Sequence, residues 1–297
     1  MPLNKPKALL LVNPRSGMKR AQYNLYTIIE GLSGSYDLTV HLTEGPGDAG
    51  ECARDAAGFD VVICCGGDGT VSQVVGGYPL DEKQPTIGII PLGTTNDLAR
   101  ALRLPVTAGA AVKRIKSGKP TEHDVATFNG RRFVYVASCG AFTKASYSTP
   151  QEAKNAFGFL AYLVEGINEL SEIRKMSVVI TCDGQTVRSE ECCFISVSNS
   201  TAIGGGTAKF PKDLVGFSDG KMELLMVDMP NNPPRFTEMI TKITTSDFND
   251  PRIHLLSGSH FVIELSEPLE WTVDGEAAGL QKRVEITVLG GAIKIIR

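Results

Sequence analysis

Apolar and polar positions along the chain follow two styles, which change over near residue 125. In the first part, short apolar runs at Ala8–Val12, Leu38–Leu42, Val61–Cys65 and Thr86–Ile90 read as strands. Amphipathic stretches near 19–32, 48–57 and 70–77 read as helices between them, and another runs from about Ala108 to Lys116. Strands that are apolar throughout are buried on both faces, so the alternation predicts an α/β layer on a largely parallel sheet. From 125 onward strand follows strand, at Arg132–Ser138, Met176–Cys182, Glu191–Ser198, Lys221–Val227, His260–Leu265, Glu270–Val273 and Arg283–Leu289. Helices are expected only at Gln151–Leu170 and Pro234–Thr244, and the Asp-Gly and Gly-Gly turns point to an antiparallel sandwich or barrel. Two domains are therefore expected, 1–125 and 126–289, with 290–297 returning to the first as a final strand.

Loops at the carboxyl ends of strands are where ligands bind on parallel sheets. Three of them are glycine-bearing and polar: Asn13-Pro14-Arg15-Ser16-Gly17, Gly66-Gly67-Asp68-Gly69-Thr70 and Pro91-Leu92-Gly93-Thr94-Thr95-Asn96-Asp97. The second joins a buried strand to an apolar helical stretch, so its backbone N–H groups and the helix dipole favour a phosphate. Thr70 is placed to cap that helix and to donate to a phosphate oxygen. Asp68 would repel a phosphate unless a cation stands between them, which points to Mg²⁺. A plain tight turn is the alternative for this loop. In the third loop, Thr94, Thr95 and Asn96 suit ribose or phosphate contacts and serve equally well as a helix N-cap. The lysine and spacing of a Walker A loop are absent, so charge neutralisation falls to backbone donors, metal, and Arg15 or Lys19.

Composition narrows this picture. The 297 residues are 42% hydrophobic and 21% charged, enough for one or two cores, and a net charge of −3 gives no reason to expect a nucleic-acid partner. The five apolar residues Ala8–Val12 are too few for a signal peptide, and no run approaches the roughly eighteen that span a bilayer. A cytoplasmic protein with transient, peripheral membrane contact is expected. Seven cysteines without any Cys-x-x-Cys pair read as reduced core thiols.

The three loops together and in order, the third continuing as Leu98-Ala99-Arg100, resemble those of the bacterial diacylglycerol kinase and lipid kinase family. Its catalytic domain is shared with eukaryotic diacylglycerol, sphingosine and ceramide kinases. Later segments fit as well: Gly204-Gly205-Gly206, Ser218-Asp219-Gly220-Lys221 and Trp271-Thr272-Val273-Asp274-Gly275-Glu276. The resemblance implies an α/β nucleotide domain, a β-sandwich, and a site in the cleft between them. It implies ATP contacts at Asn13, Pro14, Arg15, Ser16, Gly17, Thr43, Gly66, Gly67, Asp68, Gly69, Thr70, Thr94 and Asn96. It also implies a water-linked Mg²⁺ network at Asp68, Asp97 and Asp124. A structural Mg²⁺ would use the Asp219 side chain and main-chain carbonyls near Gly216 and Lys221. The general base would be Asp274, with Glu276 as the other candidate. Without the resemblance, Asp274-Gly275 is a hairpin turn like Asp183-Gly184. One departure is Val71-Ser72-Gln73 after the second loop, where the family commonly has an Asn-Glu pair.

The implied reaction is transfer of the γ-phosphate of ATP to a lipid hydroxyl, diacylglycerol first among the acceptors. An NAD kinase shares the Gly-Gly-Asp-Gly-Thr loop and is one alternative; a nucleotide- or lipid-binding regulator without turnover is another. A covering segment at Phe142–Phe159 is expected over the lipid cleft, and a homodimer is the open option for assembly.

Overall fold

The computed structural model describes residues 5–17, 20–79, 84–141, 174–203, 208–210, 214–230 and 232–297. The expected helix Gln151–Leu170, the covering segment Phe142–Phe159 and the Gly204-Gly205-Gly206 loop lie outside these residues. The chain divides into two units, Met1–His123 with Gly291–Arg297, and Asp124–Gly290.

In the first unit, strands β1 (Lys7–Val12), β2 (Asp37–Leu42), β3 (Val61–Gly66) and β4 (Thr86–Pro91) alternate with helices α1 (Arg20–Ser33), α2 (Asp48–Arg54) and α3 (Asp68–Gly77). Helices α4 (Asp97–Ala101) and α5 (Ala108–Ser117) follow. β1 lies between β2 and β3, β3 pairs with β4, and all of these ladders are parallel. The continuously apolar strand β3 is buried along its whole length, while β2 at the edge is half-buried. On one face of the sheet, Leu10, Ile63 and Ile90 pack against Ile28 and Leu32 of α1 and Val112 and Ile115 of α5. α2 and α3 approach so closely that a Cβ on Gly77 would lie 2.0 Å from the Gly50 carbonyl oxygen.

The second unit is built from antiparallel ladders. Strand β5 (Pro120–Phe128) leads into it, followed by β6 (Arg131–Phe133), β7 (Val136–Gly140), β8 (Met176–Cys182) and β9 (Gln185–Ser198). The short strands β10 (Ala202–Ile203) and β11 (Ala208–Lys209) pair with each other. Then come β12 (Met222–Asp228), helix α6 (Pro233–Thr244), β13 (Ile253–Gly258), β14 (His260–Val273) and β15 (Glu276–Ile296). β9 pairs with β7, β8 and β12, and β14 with β7, β8 and β15. One core gathers Phe133, Val197, Leu224, Phe261 and Trp271, the last with its ring 5.3 Å from that of Phe128. Another packs Phe236 and Met239 of α6 on Phe194, Leu225 and Val227. The end of β15 belongs to the first unit, where Ile295 pairs in parallel with Ile87 of β4.

Three expected strands are corrected. Arg132–Ser138 is broken into β6 and β7, because the N–H groups of Val134, Tyr135 and Val136 turn to the carboxylate of Asp274 instead of continuing one ladder. His260–Leu265 and Glu270–Val273 are one strand, β14, with a register shift between Glu264 and Leu269; the polar interval reads as a break because pairing with β15 lapses there and resumes at Leu269.

Candidate active site

The three glycine loops of the first unit converge. The N–H groups of Leu92 and Gly93 donate to the Gly66 carbonyl at 2.8 and 3.1 Å, and the Asn13 N–H donates to the Cys65 carbonyl at 2.9 Å. Asn13 Nδ2 reaches Thr70 Oγ1 at 3.4 Å, and its Oδ1 accepts from the Arg15 N–H at 3.0 Å. The contact depends on glycine: a Cβ on Gly17, whose φ is +53°, would lie 1.9 Å from the Leu92 carbonyl oxygen, and one on Gly93 would lie 2.5 Å from the Gly67 Cα. Thr43 joins the group from the end of β2, its N–H donating to the Val12 carbonyl at 2.9 Å.

Helix α3 starts at Asp68, two residues ahead of the expected start at residue 70, and its N-cap Gly67 brings no side chain to the first turn. Thr70 is therefore inside the helix rather than capping it. In the third loop the expected N-cap side chain is replaced by a remote one. Asn96 holds the N-cap position of α4 at φ 51° without a side-chain cap, its amide instead donating to the Gly93 carbonyl at 2.9 Å. The cap is Asp68, whose carboxylate accepts the N–H groups of Asp97 at 2.9 Å and Leu98 at 3.1 Å, with Thr95 Oγ1 at 3.4 Å. A carboxylate at a helix N-terminus is stabilised there, so Asp68 ties the second loop to the third.

In the second unit, Asp124 is fully buried. Its N–H donates to the Phe217 carbonyl at 2.7 Å, its carbonyl accepts from Asn199 Nδ2 at 3.0 Å, and its carboxylate accepts the Gly220 N–H at 2.7 Å. The loop it grips contains Gly216, Asp219 and Lys221. A Cβ on Gly216 would lie 2.5 Å from Asp219 Oδ2, and Asp219 Oδ1 accepts the Lys221 N–H at 3.1 Å. These three expected metal-site residues are thus neighbours; the carboxylates of Asp124 and Asp219 in this unit, like those of Asp68 and Asp97 in the first, are hard oxygen donors of the kind Mg²⁺ takes.

Asp274 and Gly275 form a two-residue hairpin turn between β14 and β15, with φ 49° and 83°, as do Asp183 and Gly184 at 45° and 86°. Asp274 is 7% exposed. Its Oδ1 accepts the N–H groups of Tyr135 at 2.9 Å and Val136 at 3.0 Å, and its Oδ2 that of Val134 at 3.0 Å. Glu276 differs: it is half-exposed and ion-paired with Arg131 at 2.7 Å. Asp183 makes the same kind of latch at the surface, accepting from the Ser259 and His260 N–H groups and the Ser259 hydroxyl. The Ser259 N–H holds its carboxyl below the usual range.

One buried acid escaped the sequence reading. Glu223 on β12 is fully buried, with Ser257 Oγ donating to its Oε1 at 3.2 Å and no partner for Oε2 among the described residues. Desolvation pushes its carboxyl up to about 7. Its only sequence signal was a charge inside the apolar run Met222–Val227.

Comparison with known proteins adds the family. Residues 7–128 match the model of the diacylglycerol kinase catalytic domain, and residues 136–297 match that of the YegS C-terminal NAD kinase beta sandwich-like domain. The chain belongs to the diacylglycerol kinase family. A diacylglycerol kinase of Bacillus subtilis (strain 168) is 31% identical over 280 residues, 92% of this chain and 91% of that protein. One of Staphylococcus saprophyticus is 30% identical, covering 93% of this chain and 90% of its own. A crystal structure of a diacylglycerol kinase from Bacillus anthracis strain Sterne superposes with a TM-score of 0.77 at 28% identity, over 99% of this chain and 97% of that one. Among the described residues, no helix is long and apolar enough to cross a membrane.

Proposed function

We propose that this protein transfers the γ-phosphate of ATP to the hydroxyl of a lipid alcohol, with diacylglycerol as acceptor and phosphatidic acid as product. The observation that carries the proposal is the convergence of three glycine loops at the start of α3, held together by the Asp68 cap on α4. Glycine backbone at a helix N-terminus lets phosphate oxygens come within hydrogen-bond reach of main-chain N–H groups. Asn13, Arg15, Ser16, Thr43 and Thr94 complete the proposed nucleotide contacts.

Phosphoryl transfer asks mainly for alignment and charge neutralisation. The acceptor oxygen bonds to the γ-phosphorus, the bond from that phosphorus to the ADP oxygen breaks, and the hydroxyl proton passes to a carboxylate. Asp274 is proposed as the acceptor of that proton because its buried carboxylate is held in one place by three backbone N–H groups, whereas Glu276 is half-exposed and ion-paired with Arg131. Asp68, Asp97 and Asp124 are proposed to hold Mg²⁺, which when bound neutralises charge on the transferring phosphate. The Asp219 loop is proposed to hold a second Mg²⁺ with a structural role.

Because the acceptor lies in a bilayer, the protein is proposed to work on the cytoplasmic membrane surface through peripheral contact. The family description of residues 136–297 also mentions NAD kinase, which makes NAD the right competitor substrate. The test is a panel of acceptors (diacylglycerol, phosphatidylglycerol, a polyprenol, a sphingoid base and NAD) with Mg²⁺ and labelled ATP. Label is expected in phosphatidic acid; label in NAD alone, or in none of the lipids, would overturn the proposal.

A further inference from the structure

Away from the glycine loops, the first unit contains one cluster that the proposed reaction does not use. His41 of β2 and Asp48 and Cys52 of α2 bring a nitrogen, a carboxylate oxygen and a sulfur within 4.8 Å of one another, the only such group of three among the described residues. Asp48 and Cys52 are four residues apart on α2 and share a face of the helix. His41 Nε2 lies 3.0 and 3.2 Å from the two Asp48 oxygens, and Cys52 Sγ lies 3.5 Å from Asp48 Oδ1.

The Cys52–Asp48 separation is that of neighbouring ligands on a tetrahedral metal, and the shorter His41–Asp48 contacts, a hydrogen-bonded pair, would open slightly on binding. Bond lengths of about 2.0–2.3 Å to nitrogen, oxygen and sulfur put neighbouring donors about 3.3–3.6 Å apart around zinc. The mixed donor set also points to a borderline ion rather than to Mg²⁺ or Ca²⁺, which take oxygen. Asp48 is already oriented as a ligand, since its Oδ2 accepts the Glu44 N–H at 2.8 Å. The surroundings are acidic: Asp55 and Glu51 add their negative field to that of Asp48 at the Cys52 sulfur. Six of the seven cysteines are buried, and Cys52 alone is partly accessible.

We propose that His41, Asp48 and Cys52 bind a zinc-class transition-metal ion through three protein donors, with the fourth position left to water. Binding replaces the Cys52 thiol proton, which leaves to solvent as the sulfur–metal bond forms. The metal closes the β2–α2 turn, which carries Thr43, between a strand and a helix. Because the donors lie outside the glycine loops and Asp274, the site stands or falls independently of the kinase reaction.

The test uses the full-length, reduced, metal-stripped protein titrated with Co²⁺ and then Zn²⁺. The expected result is one equivalent of Co²⁺ giving a thiolate-to-cobalt charge-transfer band that Zn²⁺ displaces and excess Mg²⁺ does not. Cys52→Ser, which keeps a hydroxyl to donate to Asp48, should abolish the band, and His41→Ala should weaken Zn²⁺ binding about tenfold or more. Circular dichroism of both variants establishes that they are folded. Absence of saturable Co²⁺ binding, or binding undiminished in both folded variants, would overturn the site.

Discussion

Replacing Asp274 by asparagine tests two roles at once, and Asp183 supplies the control. Asparagine tolerates the left-handed backbone at φ 49° and keeps the shape of the side chain. Its single oxygen can still accept from Tyr135 and Val136, but the amide group would then face the Val134 N–H, donor against donor. Losing one hydrogen bond to a charged group and stranding a buried donor costs about 2–3 kcal/mol. Asp183→Asn breaks the equivalent bond at the surface, where water replaces it, so about 1 kcal/mol or less is expected. Urea denaturation reads this difference. The catalytic role is read separately: loss of a general base lowers kcat by about 10²–10⁴-fold, measured well below the melting transition. Asp274→Asn should therefore lose both stability and turnover, and Asp183→Asn should keep nearly all its turnover. A folded Asp274→Asn protein with wild-type kcat would refute the base assignment, and unchanged stability would refute the latch.

Three further perturbations follow from the geometry. Gly17→Ala should abolish binding of a non-hydrolysable ATP analogue in calorimetry, because the Cβ would collide with the Leu92 carbonyl 1.9 Å away, on top of about 1–2 kcal/mol of left-handed strain; unaltered affinity would show that loop contact is dispensable. Asp68→Ala removes the cap on α4, costing about 1 kcal/mol of stability, and should also abolish turnover if Asp68 holds Mg²⁺; turnover retained despite the stability loss would leave it a capping residue only. Glu223 gives a pH signature. Its folded value is raised to about 7 from 4.5 by desolvation, so the folded state binds the extra proton between those values and stability falls as pH rises through that window. The full effect is about 3 kcal/mol at roughly 1.4 kcal/mol per pH unit. Glu223→Gln should flatten the dependence and be the more stable protein above pH 7; parallel pH profiles for the two would contradict this.

The parallel strands of the first unit were legible because burial on both faces leaves them unbroken by polar residues, as in Val61–Cys65. The glycine loops were legible as well, since close approach at Gly17 and Gly93 demands glycine. Partnerships between distant positions were not. Asp68 caps a helix some thirty residues downstream, and no local pattern marks an acceptor that serves another loop. Asp274 looked like Asp183 in sequence and makes a similar turn; burial and the three N–H groups of residues 134–136 set it apart, and those N–H groups come from the β6–β7 connection far earlier in the chain. The break between β6 and β7 was hidden for the same reason. Glu223 was read as one more strand residue because exposure cannot be read from its neighbours.

The central claim is tested most directly by incubating the wild-type chain with γ-labelled ATP, Mg²⁺, diacylglycerol in mixed micelles and NAD together, and following label and ADP. Label accumulating in phosphatidic acid, one for each ADP released and absent with Asp274→Asn, is the expected result. ADP release without labelled lipid, or label found only in NADP, would contradict the assignment of this protein as a lipid kinase.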